Sequence, residues 1–350
     1  MTMTRPELAS ERVEVSADPY ELQDEIDRHG WGDGLPVVPP TLDLVSKFVR
    51  ASGIDGSNVL AQLAPTWADA TVEKVAVNAV MAGSRPEYMP VICAAVRAVA
   101  QKPFNLYSVQ NTTHPCAVLV LVSGPISGDL RMNSGIGAFG PGNRANASIG
   151  RALRLILMNI GGARPGVRDR ATQGSPAKFT YCVAENEAAS PWGSFRETLG
   201  YGPSNSVVTV IAGEGPHNIN DHGSTTVDGL INQLANTFAT PGNNNTYMRG
   251  DSYVFLGPEH ARQFSNGGMS REDVQARLFE ASRVPRDRFS PEQLEYLDAG
   301  YGPDQKAISS QAIYLGVSWR DLKVVVVGGD GRHSCWVPTF GINMSCSEVI

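Results

Sequence analysis

Four short, largely apolar runs limit how this chain can fold: Ala117 to Val122, Val207 to Ala212, Tyr253 to Leu256 and Lys323 to Val327. The first is a continuous series of β-branched residues and leucine, without the polar alternation of a strand that has one face on water. A strand of that kind is covered on both faces, so helices must lie against a parallel or mixed sheet.

Helical patterns fill the spaces between these runs. Thr71 to Ala82 and Glu87 to Ala100 flank Gly83-Ser-Arg-Pro86, and proline suits the first turn of the second helix. Ile149, Ala152, Leu153, Ile156, Leu157 and Ile160 recur at helical spacing within 146–160, which Gly161-Gly162 ends. Val227 to Phe238 repeats the pattern behind a capping-box signature at Thr225 and Asp228, while Ser270 with Asp273 and Ser290-Pro-Glu-Gln293 begin two more. The expectation is an α/β fold, mixed or parallel sheets layered with helices, and two similar halves fit the same pattern. The chain divides into an N-terminal helix and extended arm (1–45), a first α/β unit (46–165) and a second (166–350), though one compact domain accommodates the same elements. Within the arm, the prolines of Trp31-Gly-Asp-Gly-Leu-Pro-Val-Val-Pro-Pro-Thr41 exclude helix and predict an extended strap or lid.

Net charge of −6 supplies no basic field for phosphates, so small molecules or proteins are the expected partners and nucleic acid is not. No apolar run approaches the roughly 20 residues of a membrane span, and the first residues are charged where a signal peptide is apolar. A cytoplasmic protein is expected, assembled as a homo-oligomer. Five cysteines without a CxxC pair indicate neither a disulfide framework nor a structural zinc site. Cys335, in a glycine-rich turn, is the thiol expected to react first.

The densest chemistry is Glu214-Gly-Pro-His-Asn-Ile-Asn-Asp-His-Gly-Ser-Thr225, between an apolar run and a helix, where open α/β sheets collect ligands. His217, Asp221 and His222 are candidates for acid–base work or for holding a divalent ion such as zinc, manganese or iron. Asn218 and Asn220 suit substrate oxygens. Against this stands a loop whose Asn and Asp side chains satisfy only backbone groups. Gly328 to Ser334 repeats the arrangement, with His333 to move a proton and Arg332 and Ser334 to bind substrate. Were the two preceding strands parallel neighbours, both histidine loops would open on one cleft; an ordinary glycine-rich turn is the competing reading.

Gly135-Ile-Gly-Ala-Phe-Gly140 satisfies GxGxxG, but it lies too far from its strand, with no suitable acidic residue downstream, for a dinucleotide site. A nest of backbone donors with Arg144 and Asn146, binding an anion at the helix start, survives as a weaker expectation. His114 precedes a strand and is a further catalytic candidate, with a turn residue as the alternative. Glu185 and Glu187 offer a general base or a solvated pair, and His29 and His260 look peripheral.

Together, Trp31-Gly-Asp-Gly-Leu-Pro-Val-Val-Pro-Pro-Thr41, Gly83-Ser-Arg-Pro-Glu-Tyr-Met-Pro90, Phe139-Gly-Pro-Gly-Asn-Arg-Ala-Asn146 and Gly215-Pro-His-Asn-Ile-Asn-Asp-His222 resemble a bacterial family of WGDGLPVVPPT type associated with UGSC-motif (seleno)proteins. The resemblance spans most of the chain and brings no activity with it. The UGSC motif is absent, since Asn343-Met-Ser-Cys-Ser347 does not match, so the resemblance implies a component that works beside a thiol or selenol redox partner. From the residues, the leading expectation is a lyase or hydrolase acting on a small polar, anionic substrate, with a divalent metal as the candidate cofactor. A substrate-binding component of a two-component system is the alternative.

Overall fold

The computed structural model describes residues 8–248, 250–300 and 311–350. Helix α1 (Pro19–His29) starts at the Asp18 carboxylate and stops at Gly30, whose φ of 65° suits a residue without Cβ. Then come α2 (Leu42–Ser52), the hairpin β1 (Val59–Leu63) and β2 (Ala68–Thr71), α3 (Val72–Met81), α4 (Met89–Val99), α5 (Leu106–Asn111), β3 (Ala117–Ser123), α6 (Pro125–Asp129) and α7 (Arg144–Asn159). The middle of the chain holds β4 (Cys182–Ala184), α8 (Phe195–Thr198), β5 (Val207–Gly213), β6 (His217–Asn220), α9 (Val227–Phe238) and α10 (Asn244–Tyr247). The last part holds β7 (Ser252–Leu256), α11 (Pro258–Asn266), α12 (Arg271–Ala281), β8 (Val284–Pro285), α13 (Pro291–Gly300), β9 (Ala312–Ile313), β10 (Leu322–Val326), β11 (His333–Val337) and β12 (Cys346–Val349). No described helix is long and apolar enough to cross a membrane.

Two four-stranded mixed sheets carry the fold, in the orders β4-β3-β5-β12 and β10-β7-β11-β6. The pattern is the same in both: β4 is parallel to β3 as β10 is to β7, and every other pairing is antiparallel. One edge strand of each sheet is exchanged: β6 follows β5 of the first sheet but joins the second, and β12 follows β11 of the second but joins the first. Residues 207–220 and 333–349 therefore run antiparallel along most of their length, from Val207 opposite Val349, through Gly213 opposite Thr339, to Asn220 opposite His333.

Strand alternation divides the core into layers. Leu119, Leu121, Val183 and Ile211 of the first sheet meet Tyr253, Phe255, Val325 and Val337 of the second. The opposite face of the first sheet, with Val120, Val122, Val208 and Val210, packs on α3, α4 and α7. That of the second, with Val254, Leu256, Val324 and Trp336, packs on α9, α11 and α12. Both faces of both sheets are thus covered, which is why the strands read as unbroken apolar runs, and the architecture is a four-layer α/β/β/α sandwich. The division at 165/166 expected from sequence falls between β3 and β4, which pair in one sheet.

The arm is a strap laid across α3 and α7. Asp33 receives two 2.8 Å bonds from Arg151, Asn159 Nδ2 donates to Trp31 O at 2.8 Å, and the Val38 amide donates to Met81 O. His29, outside the sandwich, stacks on Trp31 and contacts Glu25.

Candidate functional site

The antiparallel register of β6 on β11 sets Asn220 opposite His333 and Asn218 opposite Cys335, so Asn218, Asn220 and His333 share one face. Beyond β6, Asp221 closes a tight turn in which its Oδ1 accepts the amides of Gly223 and Ser224 at 3.2 and 2.8 Å. That turn brings His222 to β11, and the Nε2 atoms of His222 and His333 stand 3.3 Å apart, with the rings at 76°. His333 Nδ1 lies 3.0 Å from Asn218 Oδ1. An amide oxygen only accepts, so Nδ1 carries hydrogen and the neutral ring's Nε2 lone pair points at His222. The two histidine loops meet through neighbouring antiparallel strands, not the parallel pair that sequence had suggested.

Arg332, in a left-handed conformation at φ 51°, lies beneath the pair. Its Nε donates to Asp221 O at 2.8 Å, and its Nη2 donates to Ser224 O and Gln263 Oε1 at 2.7 and 3.0 Å. These acceptors are all neutral, so no carboxylate cancels the guanidinium charge by direct contact. Lower still, His260 is fully buried, with Nδ1 2.8 Å from Ser334 Oγ and Nε2 3.3 Å from Asp221 O. Burial pulls its pKa below the usual 6.5, leaving a neutral ring that donates from Nε2 and accepts the Ser334 hydroxyl. Ser334 accepts in turn from the Gly257 amide at 3.1 Å. Of the pair, His222 lines an open cleft of about 660 Å³, together with Ser224, Glu259, Arg262, Gln263 and Arg332.

His222 and His333 are also the side chains suited to holding a metal ion. Two imidazole nitrogens at about 2.0–2.1 Å from a tetrahedral ion stand about 3.3–3.4 Å apart, which is their separation here. No cluster of three or more His, Cys, Asp and Glu poised for a metal occurs among the described residues, so water or substrate would complete the shell.

Other sequence candidates lie elsewhere. His217 sits opposite Trp336 with its side chain exposed, on the face away from His333. Asp221 is buried in its turn; burial raises its pKa, but the hydrogen bonds from Ser224 and Gly223 outweigh this and hold it low. Asp221 and Ser334 therefore support the site from below instead of facing it. His114 lies in the turn ahead of β3, 2.8 Å from Glu214 Oε1, with Nδ1 buried and unpartnered. Arg144 donates to the carbonyls of Gly83 and Ser84, and buried Asn146 bonds to Asn133 and Ala138. Both hold loops and neither is an anion clamp. The Gly135–Gly140 turn packs on the Gly328–Gly329 turn, where Gly328 N donates to Ser134 O at 2.8 Å, and sends Phe139 between the sheets, 5.2 Å from Phe255.

Sequence misplaced two buried groups. His260 is a core residue at the base of the site, a position signalled by its helical spacing from Phe264 on the sheet-facing side of α11. Glu185, just beyond β4, is also buried; it accepts the Ser123 hydroxyl at 2.6 Å and the Phe195 amide at 2.5 Å, and burial pushes its pKa up to about 7. Of the cysteines, Cys335 turns inward and burial pushes it up to about 12, with Cys116 also at about 12 and Cys93 and Cys346 at about 11.

The chain matches no protein-family model and no curated protein.

Proposed function

We propose that the chain is a cytoplasmic, homo-oligomeric enzyme that transforms a small polar, anionic substrate by lyase or hydrolase chemistry, with His222 and His333 moving the proton. The observation that carries this reading is the 3.3 Å approach of the two Nε2 atoms, one of them fixed as an acceptor by Asn218. A base with an oriented lone pair beside a second imidazole is the equipment for taking a proton from one substrate atom and returning one to another, worth about two to four decades of rate. Asn218 and Asn220 would orient substrate oxygens, and the Arg332 guanidinium, whose own hydrogen-bond partners are neutral, would attract an anion in competition with the Glu259 carboxylate, which accepts the Gly331 and Arg332 amides at the cleft wall. Ser334, His260 and Asp221 position this apparatus.

The test is turnover by the purified chain of a mixture of small hydroxy acids, amides and carboxylic esters, followed by NMR. His222→Ala with His333→Ala should abolish any conversion while far-UV circular dichroism stays unchanged; full turnover by the double variant refutes the reading. Loss of turnover on chelation, with recovery on adding zinc, would instead assign the chemistry to an ion held between the same imidazoles.

The inward-facing thiols favour a second reading, in which the chain binds substrate for a partner that carries the thiol or selenol chemistry. That reading expects saturable substrate binding with no conversion until the partner is added.

A further inference from the structure

We propose that a second site, beneath the strap and remote from the histidine pair, binds a small carboxylic acid with an apolar body. The hollow lies between α7 and residues 165–179 and has a volume of about 480 Å³, within the range of small-molecule pockets. Arg154 and Lys178 form its inner wall and also line a small enclosed space behind it, of about 20 Å³.

The polar groups there are unevenly matched. Asp169 accepts from Lys178 Nζ at 2.9 and 2.7 Å and from Arg154 Nη2 at 3.0 Å, so one carboxylate faces two cations. The nearby Asp33 is already matched by Arg151. By direct pairing, two cations thus share one carboxylate, on side chains with only 12% and 14% of their surface exposed. Gln110, 4% exposed, lines the enclosed space, and its Nε2 is buried with no hydrogen-bond partner. Buried donors without acceptors cost free energy. An anionic group at the inner wall would answer the shortage of carboxylates, and a carboxylate matches the planar fork of Arg154, while the space at Gln110 has room for about one water molecule. The remaining wall includes Met158, Pro165, Pro176 and the half-exposed ring of Phe179, a surface for an apolar body and not for a sugar or a polyphosphate.

Phenylacetate and its uncharged amide, phenylacetamide, provide the probe pair, with binding to the full chain measured by calorimetry and saturation-transfer NMR. Phenylacetate should bind saturably, and the amide at least tenfold more weakly. Arg154→Gln, which leaves the Asp169–Lys178 pair in place, should weaken phenylacetate at least tenfold. The binding of His222→Ala/His333→Ala should equal that of wild type, which separates this site from the histidine pair. Equal affinity for acid and amide, no saturable binding of the acid, or undiminished binding by a folded Arg154→Gln would each overturn the proposal.

Discussion

Glu185→Gln tests whether a carboxyl group is buried between the sheets in its protonated form. The Glu185 side chain meets the Ser123 hydroxyl and the Phe195 amide just past the end of β4, and burial raises its pKa from 4.5 to about 7. A folded-state value above the unfolded one means that the native chain binds more protons between those limits, so stability falls as pH rises through them. With 4.5 and about 7 as the two values, the linkage integral gives a loss of about 2.5 kcal/mol between pH 5 and pH 8. Glutamine keeps an oxygen for Phe195 N and places its amide against Ser123, which then accepts instead of donating. Any cost of that exchange is the same at every pH. Other titrating groups, among them His260, whose lowered pKa makes stability fall in the opposite direction, toward acid, are common to both proteins and cancel in the difference. Urea denaturation followed by circular dichroism at pH 5, 6, 7 and 8 should therefore show the variant gaining about 2.5 kcal/mol on wild type across the series. A difference that changes by less than about 0.5 kcal/mol, well below the linkage value, means that Glu185 is not buried as described.

A Cβ on Gly257 would lie 2.2 Å from His333 O, so Gly257→Ala must push the β11 backbone by about 1 Å, enough to cost about two decades of turnover; unchanged histidine side-chain NMR signals would refute this. Asp33→Ala leaves Arg151, 14% exposed, without its carboxylate, and should destabilise the fold by about 3 kcal/mol in urea at pH 7, while a loss below 1 kcal/mol would mean that the strap is not anchored there. Wild-type stability from Asp33 should fade as pH drops below 3.8: burial opposes ionisation, but Arg151 outweighs it and holds the pKa below that value. All five buried or inward-facing thiols should resist a disulfide reagent in the native protein and react together in guanidinium, so prompt reaction of Cys335 alone would restore the sequence-based expectation.

The apolar runs made β3, β5, β7 and β10 legible, because a strand covered on both faces needs no polar alternation. Helix α9 appeared at its observed bounds, though Thr226, not Thr225, accepts the capping bond from Gly229. Strands β6 and β12 were not legible: they are four residues each, polar, and defined by distant partners. Helix α2 was missed behind the proline-rich arm, although Thr41 caps it and Val45, Phe48 and Val49 bury one face. At the site, sequence gathered His222, His333, Asn218 and Arg332 from two segments without the register that joins them. It left Arg144 and Asn146 as anion binders because an arginine bonding to carbonyls and one free to clamp a ligand look alike in a string of letters.

The exchanged strands explain why the halves cannot be read separately. If β6 stayed on the sheet of β5, which it follows, Asn218 and His222 would lie on the first sheet and His333 alone on the second. The chain crosses after Gly213, where a Cβ would lie 2.6 Å from Val337 Cγ1, so a residue without a side chain is needed as the two ribbons pass. The crossing places residues 217–222 of the outgoing ribbon against residues 332–336 of the returning one, and the imidazole pair exists only in that join. The same ribbon carries Glu214, the partner of His114, at the near end of β6 and His222 at its far end. A shift of register between β6 and β11 by one residue would turn Asn218 and Asn220 to the other face of the sheet, away from His333. The turn at Asp221, braced by Arg332 and His260, is what resists such a slip, and that gives Asp221 and His260, which do not line the cleft, a reason to be where they are.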